Sequence, residues 1–409
     1  MFKILCAIGI VFLLVDVGMP QSVYEQCRIQ AIYVKFSTHR GEVHQVKWED
    51  PDKLDTASNI VDEFLKQIHS DRDGTVSVHM SPPKELMTWD GFKAYTGNSY
   101  PNPAEEALRK EAFERNLKLI NEQNHLNSIS LRSSKLKITS LSDMTEEQYE
   151  RYCTGELPYT PTAKEVSWHA SINFPHKLNY AKEGYVGKIR KQGDCEACWA
   201  MVAAAMAEAL HVRATRLFWR FSPQFLLDCD NAIFDNEGRR SAGCEGGYVN
   251  NAFEYIIMNG IALESSYPYI EKTGRCDTRK KNCVVKLNRP GYIQLAQIPS
   301  GDELSLKEAV FNYGPMIVKI FSNLASFQHH GVGVYADVKC RSLRDDEGGH
   351  AMLLIGYGTD DEDGDYWLLL NTWGTGWGEK GFRGMEKINN GNMCGIASRA
   401  FHQTFFTDW

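Results

Sequence analysis

The stretch Gln192-Gly193-Asp194-Cys195-Glu196-Ala197-Cys198-Trp199-Ala200 runs into an alanine-rich segment that continues to Arg213 through Ala203, Ala204, Ala205, Ala207 and Ala209. Alanine has the highest helix propensity of any residue, so a helix is predicted from about Trp199 to Arg213, with Cys198 at its N-terminus. A thiol there meets the positive end of the helix dipole and unpaired backbone N–H groups, and both favour the reactive thiolate. A Cys-x-x-Cys pair also fits half a zinc site, a redox pair, or a structural cysteine beside an unrelated free one. Zinc needs a second pair at similar spacing, but Cys276 and Cys283 have six residues between them and no His pair follows. A redox pair follows a β-strand, whereas Val186-Gly187-Lys188-Ile189-Arg190-Lys191 is short and basic. Cys198 as a nucleophile is the better reading.

Such a thiolate needs a base and something to orient the base. His350 lies 152 residues downstream in Gly348-Gly349-His350-Ala351, and Asn371 lies 21 further on in Leu370-Asn371-Thr372-Trp373-Gly374. Around these two residues the chain changes character. Tyr292 to Ile298, Met316 to Phe321, Ala351 to Tyr357 and Tyr366 to Leu370 are β-rich runs separated by Gly and Asp turns. A helical half followed by a β-rich half predicts an α+β architecture of two subdomains with a cleft between them.

With these residues in place, the chain from about Met87 onward resembles the papain family of cysteine peptidases, in its cathepsin L-like group. The opening stretch resembles the family's QGxCGSCWA. Cys244-Glu245-Gly246-Gly247 resembles GCxGG, and Ser266-Tyr267-Pro268-Tyr269 resembles SYPY. Asn371-Thr372-Trp373-Gly374-Thr375-Gly376-Trp377-Gly378 resembles NSWGxxWG, and Cys394-Gly395-Ile396-Ala397 resembles CGIA. The resemblance implies a papain-like fold: a helical left subdomain whose central helix starts at the nucleophile, and a β-barrel-like right subdomain. It implies an endopeptidase acting on proteins and peptides with no metal or cofactor. Cys198 is the implied nucleophile, His350 its base, Asn371 the orienter of His350, and Gln192 a side-chain donor to the oxyanion beside the Cys198 backbone N–H. Trp373 is expected to cover the Asn371 and His350 pair. Three disulfides are implied, Cys195 with Cys244, Cys229 with Cys276 and Cys340 with Cys394. Cys283 is then left over and stands as a competitor of Cys276 for Cys229.

The substrate-binding positions carried over from the family are Gly246, Gly247, Val249 and Gly349, which line the S2 pocket. Lys319 and Arg399 fall at its floor, where relatives have small or apolar residues, so an acidic P2 residue is expected unless both cations turn outward to solvent. Glu196 replaces a glycine of the S1 wall, which either favours a basic P1 residue or narrows the site. The altered Glu196, Met201 and Lys319 around the triad motivate one rival reading, a catalytically impaired homologue that binds proteins. The fourteen residues between Cys229 and Cys244 make a longer loop than usual.

Upstream, Pro103 to about Leu126 reads as a helix with Pro in its first turn and Glu105 and Glu106 near its positive end. Glu105, Arg109, Phe113, Asn116, Ile120 and Asn124 share one face of it, within an arc of roughly 100°. These six match the ERFNIN pattern of cathepsin L-like propeptides, and Trp89, Phe92 and Tyr95 resemble the aromatic cluster beneath it. The following GxNxFxD element is partly kept, as Lys137, Thr139, Leu141 and Asp143. The implied role is a built-in inhibitor that fills the cleft and is released in acid as the carboxylates holding it are protonated. Pro158 to Pro175 reads as an exposed linker where processing occurs.

The chain has 409 residues, and its 45 Lys plus Arg against 52 Asp plus Glu leave a net charge of −7 without a basic block. That disfavours nucleic acid or an anionic membrane surface as the main partner. Ile4 to Val15 is apolar behind Lys3, too short to span a bilayer and built like a secretory signal peptide. Eight of eleven cysteines lie from Cys195 onward, as expected of a stapled domain in an oxidising compartment. The expected organisation is a signal peptide (1–20), an extension without an assigned role (21–84), a cathepsin propeptide inhibitor domain (85–170) and the peptidase domain (171–409). The product is expected to be a monomer in the lysosome or extracellular space, open to cystatin-type inhibitors. No Asn-x-Ser/Thr sequon is present, so mannose-dependent sorting has no obvious handle.

Overall fold

The computed structural model describes residues 88–129, 134–157, 173–230, 241–277, 279, 284–287, 293–361, 363–386 and 391–405, with short strands at 6–7, 10–11, 32–37 and 43–48. Apart from those strands, the expected signal peptide and extension lie outside the described residues, as do the helical pattern from Ile60 to Ile68, most of the Pro158 to Pro175 linker, most of the long loop after Cys229, and Cys283.

The alanine-rich run forms the helix Cys198–Thr215, buried at every position from Cys198 to Val212. Small side chains permit this, because neighbouring elements approach an alanine-covered helix closely on all sides. The helices Pro223–Cys229 and Val249–Asn259 pack beside it. Ser222 caps the first of these by accepting from Phe225 N, with Pro223 following as the first helical residue. On the other side stands one sheet. Its strand order is Ile293–Gln297, Ala400–Phe405, Met316–Ile320, His350–Asp360, Gly364–Leu370, Phe382–Glu386 and Val334–Tyr335. All pairings along this path are antiparallel except that of Val334–Tyr335 with Phe382–Glu386. Its two ends do not pair among the described residues, so the sheet is open rather than a closed barrel. Two disulfides lie on the helical side, Cys195–Cys244 and Cys229–Cys276, and Cys340–Cys394 clamps the sheet side.

The N-terminal unit has its own small core of Phe92, Phe113, Ile120, Leu136 and Ile138. Its long helix is Pro103–Ile129, and each residue of the six-residue pattern has a separate task. Arg109 Nε pairs with Glu105 at 2.8 Å. Phe113 packs 4.8 Å from Phe92, and Ile120 is buried. Asn116 Nδ2 donates to Ser142 O and Met144 O at 2.9 and 3.1 Å. Asn124 exchanges two hydrogen bonds with the backbone of Leu136, at 2.9 and 2.7 Å. The aromatic cluster differs from expectation at one position. Tyr95 is 54% exposed, and Tyr100 stacks on Trp89 instead, at 5.5 Å. The helix Trp89–Thr96 ends right after Tyr95, which leaves that ring on its outer face.

This unit docks on the C-terminal domain through the strand Lys135–Leu136, which pairs with His330–Val332. Around it, Lys137 N donates to His329 O at 2.7 Å and Gln328 Nε2 donates to Leu141 O at 2.7 Å. Asn124 holds that strand from behind, so the long helix sets where the unit docks. Phe113→Ala is expected to cost about 3–5 kcal/mol of the small core. Limited proteolysis of the full chain then cuts residues 88–157 faster while the peptidase half keeps its thermal transition.

Candidate active site

The helix–sheet seam brings Cys198, at the first turn of its helix, against the start of the strand His350–Asp360. Ladder pairing sets the depth of that strand: Ile320 stands opposite His350 and Lys319 opposite Ala351. The Ala351 N–H and the Trp199 N–H both reach the Cys198 sulfur and favour its thiolate. His350 Nε2 lies 2.8 Å from Asn371 Oδ1, which also accepts from Thr372 N at 2.7 Å. An oxygen already accepting a backbone N–H serves as an acceptor toward the ring too, so the ring proton sits on Nε2 and Nδ1 keeps its lone pair. That Nδ1 has no hydrogen-bond partner among the described residues. Trp373 lies over the imidazole with ring centroids 4.6 Å apart, and excludes water from the His350–Asn371 bond.

Gln192 is fully buried. Its Nε2 donates to Cys195 O at 3.0 Å and its Oε1 accepts from Thr372 Oγ1 at 2.7 Å, so one amide ties the Cys loop to the Asn371 loop. Arg190 anchors the same loop to Glu208 of the central helix (2.7 Å) and to Phe221 O beyond that helix (2.6 Å). Removing one member of this buried ion pair would strand the other charge away from water.

Residues 153–157 close the site from above. Glu156 N donates to Gly349 O at 3.0 Å and Gly349 N to Glu156 O at 2.8 Å. Leu157 N donates to Gly247 O and Gly247 N to Gly155 O, both at 2.9 Å. Gly155 lies directly over the Cys198 sulfur, where a Cβ would stand 3.1 Å from Cys198 Sγ and 2.6 Å from Glu196 O. Only glycine passes there without pushing the strand out of the cleft. Tyr149 and Tyr152 of the preceding helix pack on Trp373 at 6.0 and 5.7 Å.

The carried-over pocket residues also meet this strand. Leu157 fits against Gly246, and Gly247 lies against the Trp199 ring. Val249 N donates to the Glu156 carboxylate at 3.0 Å. Lys319, 2% exposed, donates to Leu157 O at 2.7 Å, and Arg399, 5% exposed, reaches Arg344 O and Asp345 at 3.0 Å. Neither cation turns out to solvent. The half-buried Glu196 carboxyl is pushed up by burial, with Arg151 of the N-terminal unit opposing and Glu245 adding to the rise. Gly155 and Glu156 were not singled out from the sequence, where the available signal was a lone glycine between a helix and the proline-rich linker.

With residues 153–157 in place, burial disfavours the charged forms of both Cys198 and His350. Burial pushes the Cys198 thiol up to about 12 and the Glu156 carboxylate pushes the same way, against the two N–H groups and Lys319. Burial pulls His350 down to about 4, with Asn371 opposing. The helix terminus therefore does not deliver a thiolate while residues 153–157 cover it. Iodoacetamide labelling of Cys198 at pH 7, read by peptide mapping, is expected to be at least a hundredfold slower in the full chain than after removal of residues 88–157. Equal rates would contradict this account of the covered site.

Comparison with known proteins places these features. Residues 174–404 match the family described as papain family cysteine protease, and residues 89–149 match the cathepsin propeptide inhibitor domain (I29). The chain is 34% identical over 335 residues to cathepsin J of Mus musculus, covering 79% of this chain and 93% of that protein. It is 35% identical over 333 residues to cathepsin S of Bos taurus, covering 81% and 93%. Among solved structures it is similar to digestive procathepsin L 3 of Tenebrio molitor larval midgut, with a TM-score of 0.67 and 28% identity over 79% of this chain and 100% of that one. A cleft that holds a buried cysteine under an N-terminal strand, together with these matches over both halves, means that the chain belongs to the papain family of cysteine proteases and is a cathepsin L-like proenzyme.

Proposed function

We propose that the processed enzyme cleaves peptide bonds through Cys198, His350 and Asn371 by way of an acyl-enzyme. The reading is carried by one observation: Asn371 Oδ1 accepts a hydrogen bond from His350 Nε2–H, which leaves the Nδ1 lone pair without a partner among the described residues. When the strand over the site leaves, water re-enters, and the burial that holds both groups neutral is relieved. His350 Nδ1 takes the Cys198 proton, and the sulfur adds to the scissile carbonyl carbon. The resulting oxyanion accepts from the Cys198 backbone N–H and from the Gln192 amide. Collapse expels the amine, protonated by His350, and leaves a thioester. His350 then deprotonates a water that adds to the thioester, and collapse frees the acid and the Cys198 thiol. Asn371 holds the tautomer throughout, and Trp373 keeps their bond dry.

In this reading residues 85–170 are the released inhibitor and 171–409 the enzyme. Residues 1–20 direct the chain to the secretory pathway, ending in the lysosome or outside the cell, where the enzyme works as a monomer on protein substrates within reach of cystatin-type inhibitors. No helix among the described residues is long and apolar enough to cross a membrane. A vinyl sulfone or epoxide affinity probe is expected to label Cys198 after acid treatment. Cys198→Ser abolishes hydrolysis, and Gln192→Ala lowers kcat by about 10²–10³. A processed enzyme that neither labels nor cleaves any peptide fits the impaired homologue instead.

Acid release of the prosegment requires carboxylates whose pKa is depressed in the docked state, and the buried ones have the opposite sign. Burial raises Asp143 and Glu156, in Glu156 against the Lys319 charge and the Val249 N–H. Their contribution to docking is full below the unfolded glutamate and aspartate values and fades as pH rises through the folded ones, so acid favours their buried places. Glu106 behaves otherwise. Lys93, at 2.6 Å, and Trp89 Nε1, at 3.3 Å, lower its pKa. Its contribution is present above the ordinary glutamate value, about 4.3, and is lost as pH falls through the depressed one. Among the described prosegment carboxylates, Glu106 therefore has the sign that acid release needs, through the half-buried Glu106–Lys93 contact that ties the two prosegment helices. Glu106→Gln is expected to shed its prosegment severalfold faster than wild type at pH 6 while the two converge below about pH 4, followed by gel analysis of the processed band.

A further inference from the structure

We propose that the pocket beside Cys198 formed by Val249, Lys319 and Arg399 is built for an acidic side chain, so that the processed enzyme selects Glu or Asp at P2, with Glu156 as the chain's own occupant. The proposal rests on the peptidase reading above and adds its substrate class.

Gly155 sits over the Cys198 sulfur, and the next residue, Glu156, is held by both walls of the cleft through its backbone bonds to Gly349 and those of its neighbours to Gly247. Its side chain is buried, at 2% exposure, although nothing in the backbone pairing requires a carboxylate there. Three groups around it favour the carboxylate against the burial that raises its pKa: Lys319, the Val249 N–H and Arg399. Val249 N, at the start of an 11-residue helix, donates to Glu156 Oε2 at 3.0 Å, so a helix N-terminus points at the charge. The Lys319 stem forms one wall, its Cε lying where a side chain on Gly349 would begin. Glu156 is the one carboxylate acting on the Lys319 ammonium among the described residues. Arg399 also acts on Glu156. Its Nη2 is held by Arg344 O and the exposed Asp345, whereas its buried Nη1 has no partner among the described residues.

Departure of the prosegment takes away the Glu156 carboxylate and the Leu157 carbonyl together. Lys319 then stays at the base of the pocket with neither, and Val249 N loses its acceptor. Water that enters the open cleft hydrates them, and a substrate that displaces this water without supplying a carboxylate leaves them unpaired, which is costly. A substrate carboxylate at the same place restores the helix-terminal hydrogen bond and the countercharge in one step, and a Leu or Phe side chain restores neither. Selectivity built on stranded polar groups is larger than selectivity built on apolar fit.

The test uses the acid-processed enzyme and fluorogenic peptides that differ only at P2 (Glu, Gln, Leu, Phe, Lys), at about pH 6, with active enzyme counted by epoxide titration of Cys198. The expected kcat/KM for Glu is at least tenfold above those for Gln and Leu. Lys319→Leu is expected to bring that ratio below twofold with Leu hydrolysis rising, and Arg399→Gln to lower it partway. A Leu or Phe preference in wild type overturns the proposal, as does a Glu preference that neither variant moves. A full epoxide titre with apolar preference removes this proposal alone, whereas no titre and no hydrolysis of any peptide removes the peptidase reading with it.

Discussion

Fifteen consecutive residues, Cys198 to Val212, are buried in one helix, and the far side of that burial is the strand that begins at His350. The site depends on this contact. Thiol and imidazole come from different subdomains, so no local element orients one toward the other. What fixes them is close packing of an alanine-covered helix against an apolar strand, where a shift of one residue would strand large side chains in voids or overlaps. The Arg190–Glu208 ion pair, the Gln192 amide and the Cys195–Cys244 disulfide all act near the helix's first turns, where small rotations would move the sulfur most.

The same burial has an electrostatic cost that serves latency. A thiolate–imidazolium pair needs either solvent or compensating charge. With residues 153–157 in the cleft, the site has little of the first, and the nearest carboxylate, Glu156, opposes the thiolate. Residues 153–157 thus act twice, by filling the cleft and by disfavouring the charged forms of Cys198 and His350. Lys319 works in the other direction, and it is the group whose surroundings change most when the strand departs.

Docking of the N-terminal unit combines sheet pairing at Lys135–Leu136 with an apolar face, Leu141, Met144, Tyr149 and Tyr152, buried in the core beside Trp373. Its small core of Phe92, Phe113, Ile120, Leu136 and Ile138 shapes the unit, and Asn116 and Asn124 convert that shape into the positions of the chain at 142–144 and at Leu136. Polar side chains on a helix face are usually left to water. Here two asparagines are spent on backbone groups, which explains why a pattern of mixed polarity, with no clear apolar stripe, folds as one surface.

The sequence by itself determined the helix that starts at Cys198, the β-rich runs around His350, the order of the motifs and the six-residue face of the long N-terminal helix, because these rest on propensity and on spacing along one element. It also placed Lys319 and Arg399 near a pocket through resemblance alone. Only the tertiary structure decided that the cations stay inside, that Tyr100 rather than Tyr95 completes the aromatic cluster, that the sheet is open, and that Glu156 is their counterpart. Residue Glu156 lies 163 positions from Lys319 and 243 from Arg399 in the chain. Solvation of a buried charge depends on what surrounds it in space, and periodicity along a chain carries no record of that. The neutral state of Cys198 is of the same kind: a helix terminus is legible in sequence, but the strand that overrides it arrives from another part of the chain.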